Sequence, residues 1–100
     1  MNLHLQGKTA LVSASSAGIG FAIAQALAEE GTEVIINGRT VDRVEQARRR
    51  IAADVPHART SGIAADLSTA EGVQQVTDRF SSVDILVNNL GIFDVKPFPE

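Results

Sequence analysis

Apolar runs of strand length alternate with helical patterns along this chain. The predicted strands cover residues 9–14, 33–37, 60–65 and 84–88. The predicted helices cover residues 19–30, the stretch from an N-cap at Thr40 to Pro56, and a segment that begins at Ser68. Strands that are apolar throughout and are separated by helices are typical of a parallel sheet covered on both faces. The sequence therefore predicts an α/β fold of order βαβαβαβ with right-handed crossovers.

Each predicted helix carries an apolar stripe at helical spacing, and this stripe is the face expected to pack on the sheet. The stripe residues are Ile19, Ile23, Ala26 and Leu27 in the first helix, Val41, Val44, Ile51 and Val55 in the second, and Val73, Val76 and Phe80 in the third. Ser68 and Glu71 have the spacing of a capping box, which predicts that the third helix starts there.

Composition limits the possible partners. The chain has 100 residues, of which 44% are hydrophobic, enough for one compact core and too few for two ordinary domains. Its formal net charge of -3 argues against nucleic acid and anionic membranes as partners, and polar residues interrupt the apolar stretch 9–28, which argues against a membrane span. There is no cysteine, and His4 and His57 have no companions at ligand spacing, so no metal site is expected. This composition fits a cytoplasmic protein.

The segment most informative about function is residues 13–20, a run of small residues between the first strand and the first helix. Small side chains let the backbone approach a pyrophosphate closely, and the N-terminus of the following helix attracts its negative charge. Ligands of such sheets collect beyond the carboxyl ends of the strands. The loops at residues 14–20, 37–40, 65–68 and 88–92 are therefore predicted to form one nucleotide-binding cleft.

These loops carry a specific resemblance. The run Ser13-Ala14-Ser15-Ser16-Ala17-Gly18-Ile19-Gly20 resembles the TGxxxGxG turn of the classical short-chain dehydrogenase/reductase family, and Asn88-Asn89-Leu90-Gly91 resembles its NNAG motif. Residues 5–8, 66–67 and 83–87 also match the family in order and spacing. The resemblance spans nearly all of the chain and implies a Rossmann-type doubly wound parallel sheet that binds a nicotinamide cofactor.

The resemblance also implies roles for individual residues. Residues 13–20, namely Ser13, Ala14, Ser15, Ser16, Ala17, Gly18, Ile19 and Gly20, are expected to surround the cofactor phosphates, with Ser15 and Ser16 as side-chain donors. The same serines also suit helix capping, which is compatible with binding. Asp66 is expected to accept from the adenine amino group, Leu67 to adjoin the ring, and Asn89 and Gly91 to line the adenosine ribose. An equal alternative for Asp66 is a carboxylate at a helix start, favoured by the helix dipole. For Asn89 the equal alternative is simple loop hydrogen bonding.

Arg39 follows the second strand, at the position where a carboxylate would bind the ribose hydroxyls of NAD. A guanidinium suits the 2′-phosphate of NADP instead, so NADP is the expected cofactor and NAD the less favoured one. Arg43 is a second candidate that could assist Arg39. The alternative is a surface arginine that is hydrated or paired with Asp42.

Three positions depart from the family pattern: Ser13 replaces threonine, Ala14 replaces the first glycine, and Leu90 replaces the alanine of NNAG. Ser13 keeps a hydroxyl group. Ala14 is the most consequential departure, because a Cβ costs about 1 kcal/mol where φ must be positive.

The sequence contains no tyrosine, whereas the family transfers hydride with a Tyr-x-x-x-Lys pair that follows NNAG. No catalytic residue is therefore assigned within residues 1–100. The chain is expected to be one domain, the cofactor-binding part of a longer oxidoreductase that continues after Glu100, acts on an alcohol or ketone and forms a homo-oligomer. A non-catalytic nucleotide-binding or regulatory module is the alternative. Asn37-Gly38-Arg39 argues against a methyltransferase domain, which would carry an acidic residue at the end of the second strand.

Overall fold

The computed structural model describes residues 6–80 and 82–89. The described residues form four strands and three helices in the predicted order. The strands are β1 (Thr9–Val12), β2 (Glu33–Gly38), β3 (Arg59–Ala64) and β4 (Ile85–Val87). The helices are α1 (Gly18–Glu29), α2 (Val41–Asp54) and α3 (Ala70–Arg79). The predicted βαβαβαβ order is confirmed, and β1 and β4 are shorter than predicted.

The four strands form one parallel sheet in the order β3-β2-β1-β4. In the register of the central pair, Leu11 lies opposite Ile35, and on the other side of β1 Leu11 lies opposite Leu86. The chain moves outward from β1 through β2 to β3 and then returns to the other side of β1 as β4. The order of the strands therefore reverses beside the carboxyl end of β1, where such sheets bind ligands.

Alternate residues of the strands supply two separate cores, one on each face of the sheet. Val12, Val34 and Ile36 pack with residues of α1 and α2 on one face. Leu11, Ile35 and Ile63 pack with Val76 of α3 on the other face. Helices cover both faces, as the predicted doubly wound α/β fold requires.

The helix faces that contact the sheet differ from the predicted stripes. In α1 the buried side chains are Phe21, Ala24 and Ala28, whereas Ile19 is 52% exposed and Ala26 is exposed. The small alanines allow the helix to lie close to the sheet, and the larger Ile23 and Leu27 flank this contact, half-buried. The predicted stripe of α1 is therefore wrong for Ile19 and Ala26.

The other two helices deviate only in their first turns. In α2, Val44, Ala47 and Ile51 face the core, while Val41 is 67% exposed. In α3, Val76 is buried, while Val73 is 49% exposed. First-turn residues lie at the end of a helix, where neighbouring elements cover them less, and the predictions for Val41 and Val73 are wrong for that reason.

Two helices begin with threonine caps. The hydroxyl of Thr40 accepts a hydrogen bond from the backbone N–H of Arg43 at 3.2 Å, which confirms the predicted N-cap of α2. The predicted cap at Ser68 is wrong. Thr69 accepts from the N–H of Gly72 at 3.0 Å, because α3 begins one residue later, and the Ser68 hydroxyl instead donates to Asp66.

No helix within the described residues is long and apolar enough to cross a bilayer. In the same part of the chain, no group of three or more histidine and acidic side chains is arranged to hold a metal ion.

Candidate functional site

The loops that follow β1, β2 and β3 enclose an open cleft of about 240 Å³ at the carboxyl edge of the sheet. Residues 88 and 89, the described part of the fourth predicted loop, do not line it. Six of the residues that line it are predicted site residues: Ala14, Ser16, Ala17, Arg39, Asp66 and Leu67. The lining also includes Asn37, Gly38, Ala65 and Ser68, which belong to the predicted loops but have no individual role in the prediction, and Arg43, which is predicted to assist Arg39. Ser13, Ser15, Gly18, Ile19, Gly20 and Asn89 lie in or beside the same loops without lining the cleft. Gly91 and the departure at Leu90 lie outside the described residues.

The N-terminus of α1 has no side-chain cap. Its N-cap residue is Ala17, which offers no side-chain hydrogen-bond acceptor, and the first turn contains no acidic residue. The helices α2 and α3 each have a threonine cap and an acidic first-turn residue, Asp42 and Glu71 respectively. The backbone N–H groups and the positive end of the α1 dipole therefore face the cleft region without a side-chain acceptor, as anion-binding helices do.

The two glycines of this loop have different physical functions. Gly18 has a φ of +64°, and no heavy atom lies within 4 Å of the position that a Cβ would take. Gly20 lies under the loop, where a Cβ would collide with the carbonyl oxygen of Ala14 and the amide nitrogen of Asn89. Gly18 thus supports the turn and leaves open space outside it, whereas Gly20 is needed for close packing.

Ala14 adopts the left-handed conformation, with a φ of +50°. Its N–H donates to Oδ1 of Asn37 at 2.8 Å, and its carbonyl oxygen accepts from Nδ2 of Asn89 at 3.2 Å. The Ala14 backbone is therefore hydrogen-bonded on both sides by asparagine side chains. A non-glycine residue at a positive φ costs free energy, as predicted for Ala14, and the folded chain carries this cost.

Ser13 and Ser15 are buried, and their hydroxyl groups bond within the protein. The Ser13 hydroxyl accepts from the N–H of Asn89 at 2.7 Å, which ties the ends of β1 and β4 together. The Ser15 hydroxyl accepts from the N–H of Asn37 at 2.8 Å. Of the two serines expected to donate to a phosphate, Ser16 is the one that lines the cleft.

Positive charge also lines the cleft. Arg39 and Arg43 both line it, and Arg39 is exposed. Within residues 6–80 and 82–89, the ion pair formed is that of Arg48 with Glu45, at 2.8 Å. The alternative in which Arg39 pairs with Asp42 is therefore not observed.

Asp66 follows β3 and forms part of the cleft wall. Its Oδ1 accepts from the hydroxyl of Ser68 at 2.5 Å and from the Ser68 N–H at 3.0 Å. These two hydrogen bonds, with a smaller contribution from the positive charge of Arg39, hold the pKa of Asp66 below its ordinary value. Asp66 is therefore an ionised acceptor at neutral pH.

Asn37 lies in a loop that is predicted to form the cleft, but the sequence reasoning missed the role of its side chain. It is 2% exposed, and its side-chain Nδ2 donates to the carbonyl oxygens of Ile63 at 3.2 Å and Ala65 at 3.0 Å. The available signal was a polar residue directly after the apolar run at residues 34–36. A buried polar side chain in that position needs hydrogen-bond partners, and the loops beside it supply them.

Asn89 has one buried polar atom that is not hydrogen-bonded. The residue is 8% exposed, and its Oδ1 has no partner among the described residues. An acceptor of this kind matches a hydroxyl donor such as that of a ribose.

Comparison with known proteins agrees with this geometry. Residues 8–100 match the family model for short chain dehydrogenases. The uncharacterized oxidoreductase YvaG of Bacillus subtilis is 51% identical over 94 residues, which are 94% of this chain and 36% of that protein. The sorbitol dehydrogenase of Cereibacter sphaeroides is 38% identical over 102 residues, with 98% of this chain and 38% of that protein covered. The chain thus spans little more than a third of the length of these relatives.

Solved structures give the same result. The L-sorbose reductase of Gluconobacter frateurii, in complex with NADPH and L-sorbose, superposes with a TM-score of 0.79 at 39% identity over 91% of this chain and 36% of its own. RhlG of Pseudomonas aeruginosa, in complex with NADP, has a TM-score of 0.73 at 37% identity over 85% of this chain and 35% of its own. Since the family model covers residues 8–100 and the fold agrees, this chain belongs to the short-chain dehydrogenase family.

Proposed function

We propose that this chain is the cofactor-binding part of an NADP-dependent oxidoreductase, which transfers a hydride between the nicotinamide and an alcohol or ketone carbon. The observation that carries the proposal is a single cleft that is lined both by the uncapped N-terminus of α1 and by two arginines. Such a cleft offers two separate anion sites, and NADP presents both a pyrophosphate and a 2′-phosphate. The cofactors named for the L-sorbose reductase and RhlG structures support this choice.

The pyrophosphate is assigned to the start of α1. The backbone N–H groups at Ala17, Gly18 and Ile19 have no capping side chain, and the Ser16 hydroxyl lines the adjacent cleft. The open space at Gly18 leaves room for a phosphate near the backbone. Gly20 supports this turn from below, through its close packing against the carbonyl of Ala14.

The 2′-phosphate is assigned to Arg39, with Arg43 beside it. Both guanidinium groups are on the cleft, and β2 ends in Asn37 and Gly38 rather than in a carboxylate that would repel the phosphate. Guanidinium groups bind phosphate through paired charge-assisted hydrogen bonds. NAD lacks this phosphate and is expected to bind more weakly.

The adenosine is assigned to the loops after β3 and β4. Asp66 supplies an ionised acceptor for the adenine amino group, and the half-buried Leu67 supplies an apolar surface for the ring. Asn89, whose unpartnered Oδ1 is buried beside the cleft, is proposed for a ribose hydroxyl from the family motif. Gly91 is proposed for the same ribose from the family motif alone.

When bound, the cofactor supplies the hydride, and the residues of this chain bind and orient it. The reaction also needs a proton donor for the substrate oxygen, and the 100 residues contain no tyrosine for that role. We therefore assign the proton donor to a part of a longer protein, and the length of the relatives supports this. The absence of tyrosine equally favours the second candidate, a nucleotide-binding module without catalysis.

Two further proposals concern the cellular location and the oligomeric state of the protein. The protein is assigned to the cytoplasm, because a chain without cysteine fits a reducing compartment. The full-length protein is assigned as a homo-oligomer from the family resemblance. Fractionation of the source cells and light scattering of the purified protein test these two assignments.

The test of the cofactor assignment compares NADPH and NADH binding in wild type and in Arg39→Ala. Arg39→Ala is expected to raise the Kd for NADPH about tenfold or more and to leave that for NADH unchanged, because a charge-assisted phosphate contact is lost. The matched control is Arg49→Ala, an exposed arginine outside the cleft, which is expected to change neither Kd.

Equal losses for both cofactors would reject the assignment of Arg39. A wild-type protein that binds neither cofactor would reject the proposed function. Cofactor binding by the full-length protein without turnover of any alcohol or ketone would favour the non-catalytic module.

A further inference from the structure

Asn37 connects loops that belong to three different strands. It lies at the end of β2, and its side-chain Oδ1 accepts from the N–H of Ala14, which follows β1, at 2.8 Å. Its Nδ2 donates to Ile63 and Ala65, at the end of β3. One rigid planar amide therefore sets the spacing between the phosphate-side loop and the adenine-side loop of the cleft.

The main chain of Asn37 adds a second connection to the same loop. Its N–H donates to the Ser15 hydroxyl at 2.8 Å, and its carbonyl oxygen accepts from the Ser15 N–H at 2.7 Å. Two consecutive residues of the phosphate-side loop, Ala14 and Ser15, are thus held by one residue of the neighbouring strand. All of these bonds are buried or partly buried, so water competes poorly for them.

The Ala14 backbone needs this support. A non-glycine residue in the left-handed region persists only when surrounding contacts over-determine its conformation. The bond from Asn37 holds its N–H, and the bond from Asn89 holds its carbonyl oxygen. The direction of the chain as it enters α1 depends on this residue, and so does the aim of the uncapped N–H groups of the helix.

We propose that Asn37 is a positioning residue of the cofactor site, which acts through Ala14 on the phosphate turn and through Ala65 on the loop that carries Asp66. The inference rests on the proposed function. It extends that function because the two loops that Asn37 positions are the ones proposed to bind the pyrophosphate and the adenosine. NADPH and NADH share both of these groups. Loss of the Asn37 side chain is therefore expected to weaken the binding of both cofactors by the same factor. Loss of Arg39, in contrast, is expected to weaken the binding of NADPH alone.

The experiment measures the Kd for NADPH and for NADH in wild type and Asn37→Ser, by fluorescence titration of the full-length protein well below its unfolding temperature. Asn37→Ser shortens the side chain and is expected to raise both values about tenfold, because the hydrogen bonds that align the two loops are lost. The matched control is Thr32→Val, which removes the hydroxyl of a buried residue immediately before β2, at the end of the strand away from the cleft. It is expected to lower the unfolding temperature and leave both Kd values within about twofold.

If Asn37→Ser lowers the unfolding temperature but leaves both Kd values unchanged, the inference is overturned and the proposed function stays intact. A loss confined to NADPH would also overturn it, because Asn37 would then act on the 2′-phosphate. A wild-type protein that binds neither cofactor would overturn the proposed function and this inference together.

A second measurement uses only the wild-type protein and therefore does not depend on the folding of a variant. If the Asn37 bond to Ala14 favours cofactor binding, then binding must favour that bond by the same free energy. Addition of NADPH is expected to slow hydrogen exchange of the Ala14 amide by about tenfold. Unchanged exchange of that amide in the saturated protein would overturn the inference.

Discussion

Replacing Ala14 with glycine is expected to stabilise the folded chain, although glycine usually destabilises. Ala14 has a φ of +50°, where an L-residue with a Cβ pays about 1–2 kcal/mol relative to the right-handed region. Glycine avoids that cost but gives the unfolded chain more freedom, which offsets about 0.4–1 kcal/mol. The net expectation is a gain of about 0.5–1 kcal/mol in the free energy of unfolding. Urea denaturation measures it as a rise in the midpoint of roughly 0.3–0.5 M, for an m-value of about 2 kcal/mol/M.

The control for this prediction is Ala53→Gly. Ala53 is an exposed residue of α2 without a positive φ, and glycine there is expected to cost about 0.5–1 kcal/mol. The same chemical change is thus expected to have opposite signs at the two positions. A loss of stability in Ala14→Gly equal to that in Ala53→Gly would refute the reasoning, because it would mean that the left-handed conformation of Ala14 carries no cost.

Three other changes test the loops around the cleft. Gly20→Ala is expected to destabilise the fold by about 1–3 kcal/mol, because the added methyl collides with Ala14 and Asn89; urea denaturation measures this. Gly18→Val is expected to weaken NADPH and NADH binding equally, since it places a branched side chain at a φ of +64° beside the proposed pyrophosphate; cofactor titration measures this. Ser68→Ala is expected to raise the pKa of Asp66 toward its ordinary value, because the largest cause of the lowering is the Ser68 hydroxyl; an NMR titration of the carboxyl group measures this.

The sign of the Asp66 effect follows from linkage. A carboxyl whose pKa is lower in the folded chain than in the unfolded chain stabilises the fold above the unfolded value, and this contribution is lost as the pH falls through the folded value. Ser68→Ala is therefore expected to flatten the acid limb of the stability profile. An unchanged Asp66 pKa in Ser68→Ala would contradict that prediction. Gly20→Ala with wild-type stability, or Gly18→Val with wild-type affinity, would contradict the other two.

The sequence predicted the order of the elements because each strand is a continuous apolar run that only a sheet with two covered faces can bury. It was less successful in choosing helix faces. In α1, a stripe through Ile19 and Ile23 and a stripe through Phe21, Ala24 and Ala28 both have helical spacing. Hydrophobicity favours the isoleucines, whereas close approach to the sheet favours the alanines, and the structure follows the second requirement. Periodicity carries no information on how closely a helix packs.

The contacts beneath the cleft could not be predicted, because they depend on strand register. The amide of Asn37 reaches Ala14 and Ala65 only because β2 lies between β1 and β3 with its end level with theirs. The prediction of a capping box at Ser68 was wrong for a local reason. Asp66 competes for the Ser68 hydroxyl, and the adjacent Thr69 is left to cap the helix.

In the proposed site, the groups that distinguish NADP from NAD and the groups that support both cofactors lie in different environments. The groups assigned to the 2′-phosphate, Arg39 and Arg43, are exposed on the cleft, and Arg39 has no ion-pair partner among the described residues. The groups that hold the loops, Asn37 and Asn89, are buried, and their side chains donate to the backbone carbonyl oxygens of Ile63 and Ala14 respectively. Substitutions of exposed side chains away from such networks usually change stability little, whereas breaking a buried network is costly. The preference for NADP over NAD is therefore expected to change by substitution without loss of the fold, while the affinity common to both cofactors is coupled to the stability of the sheet.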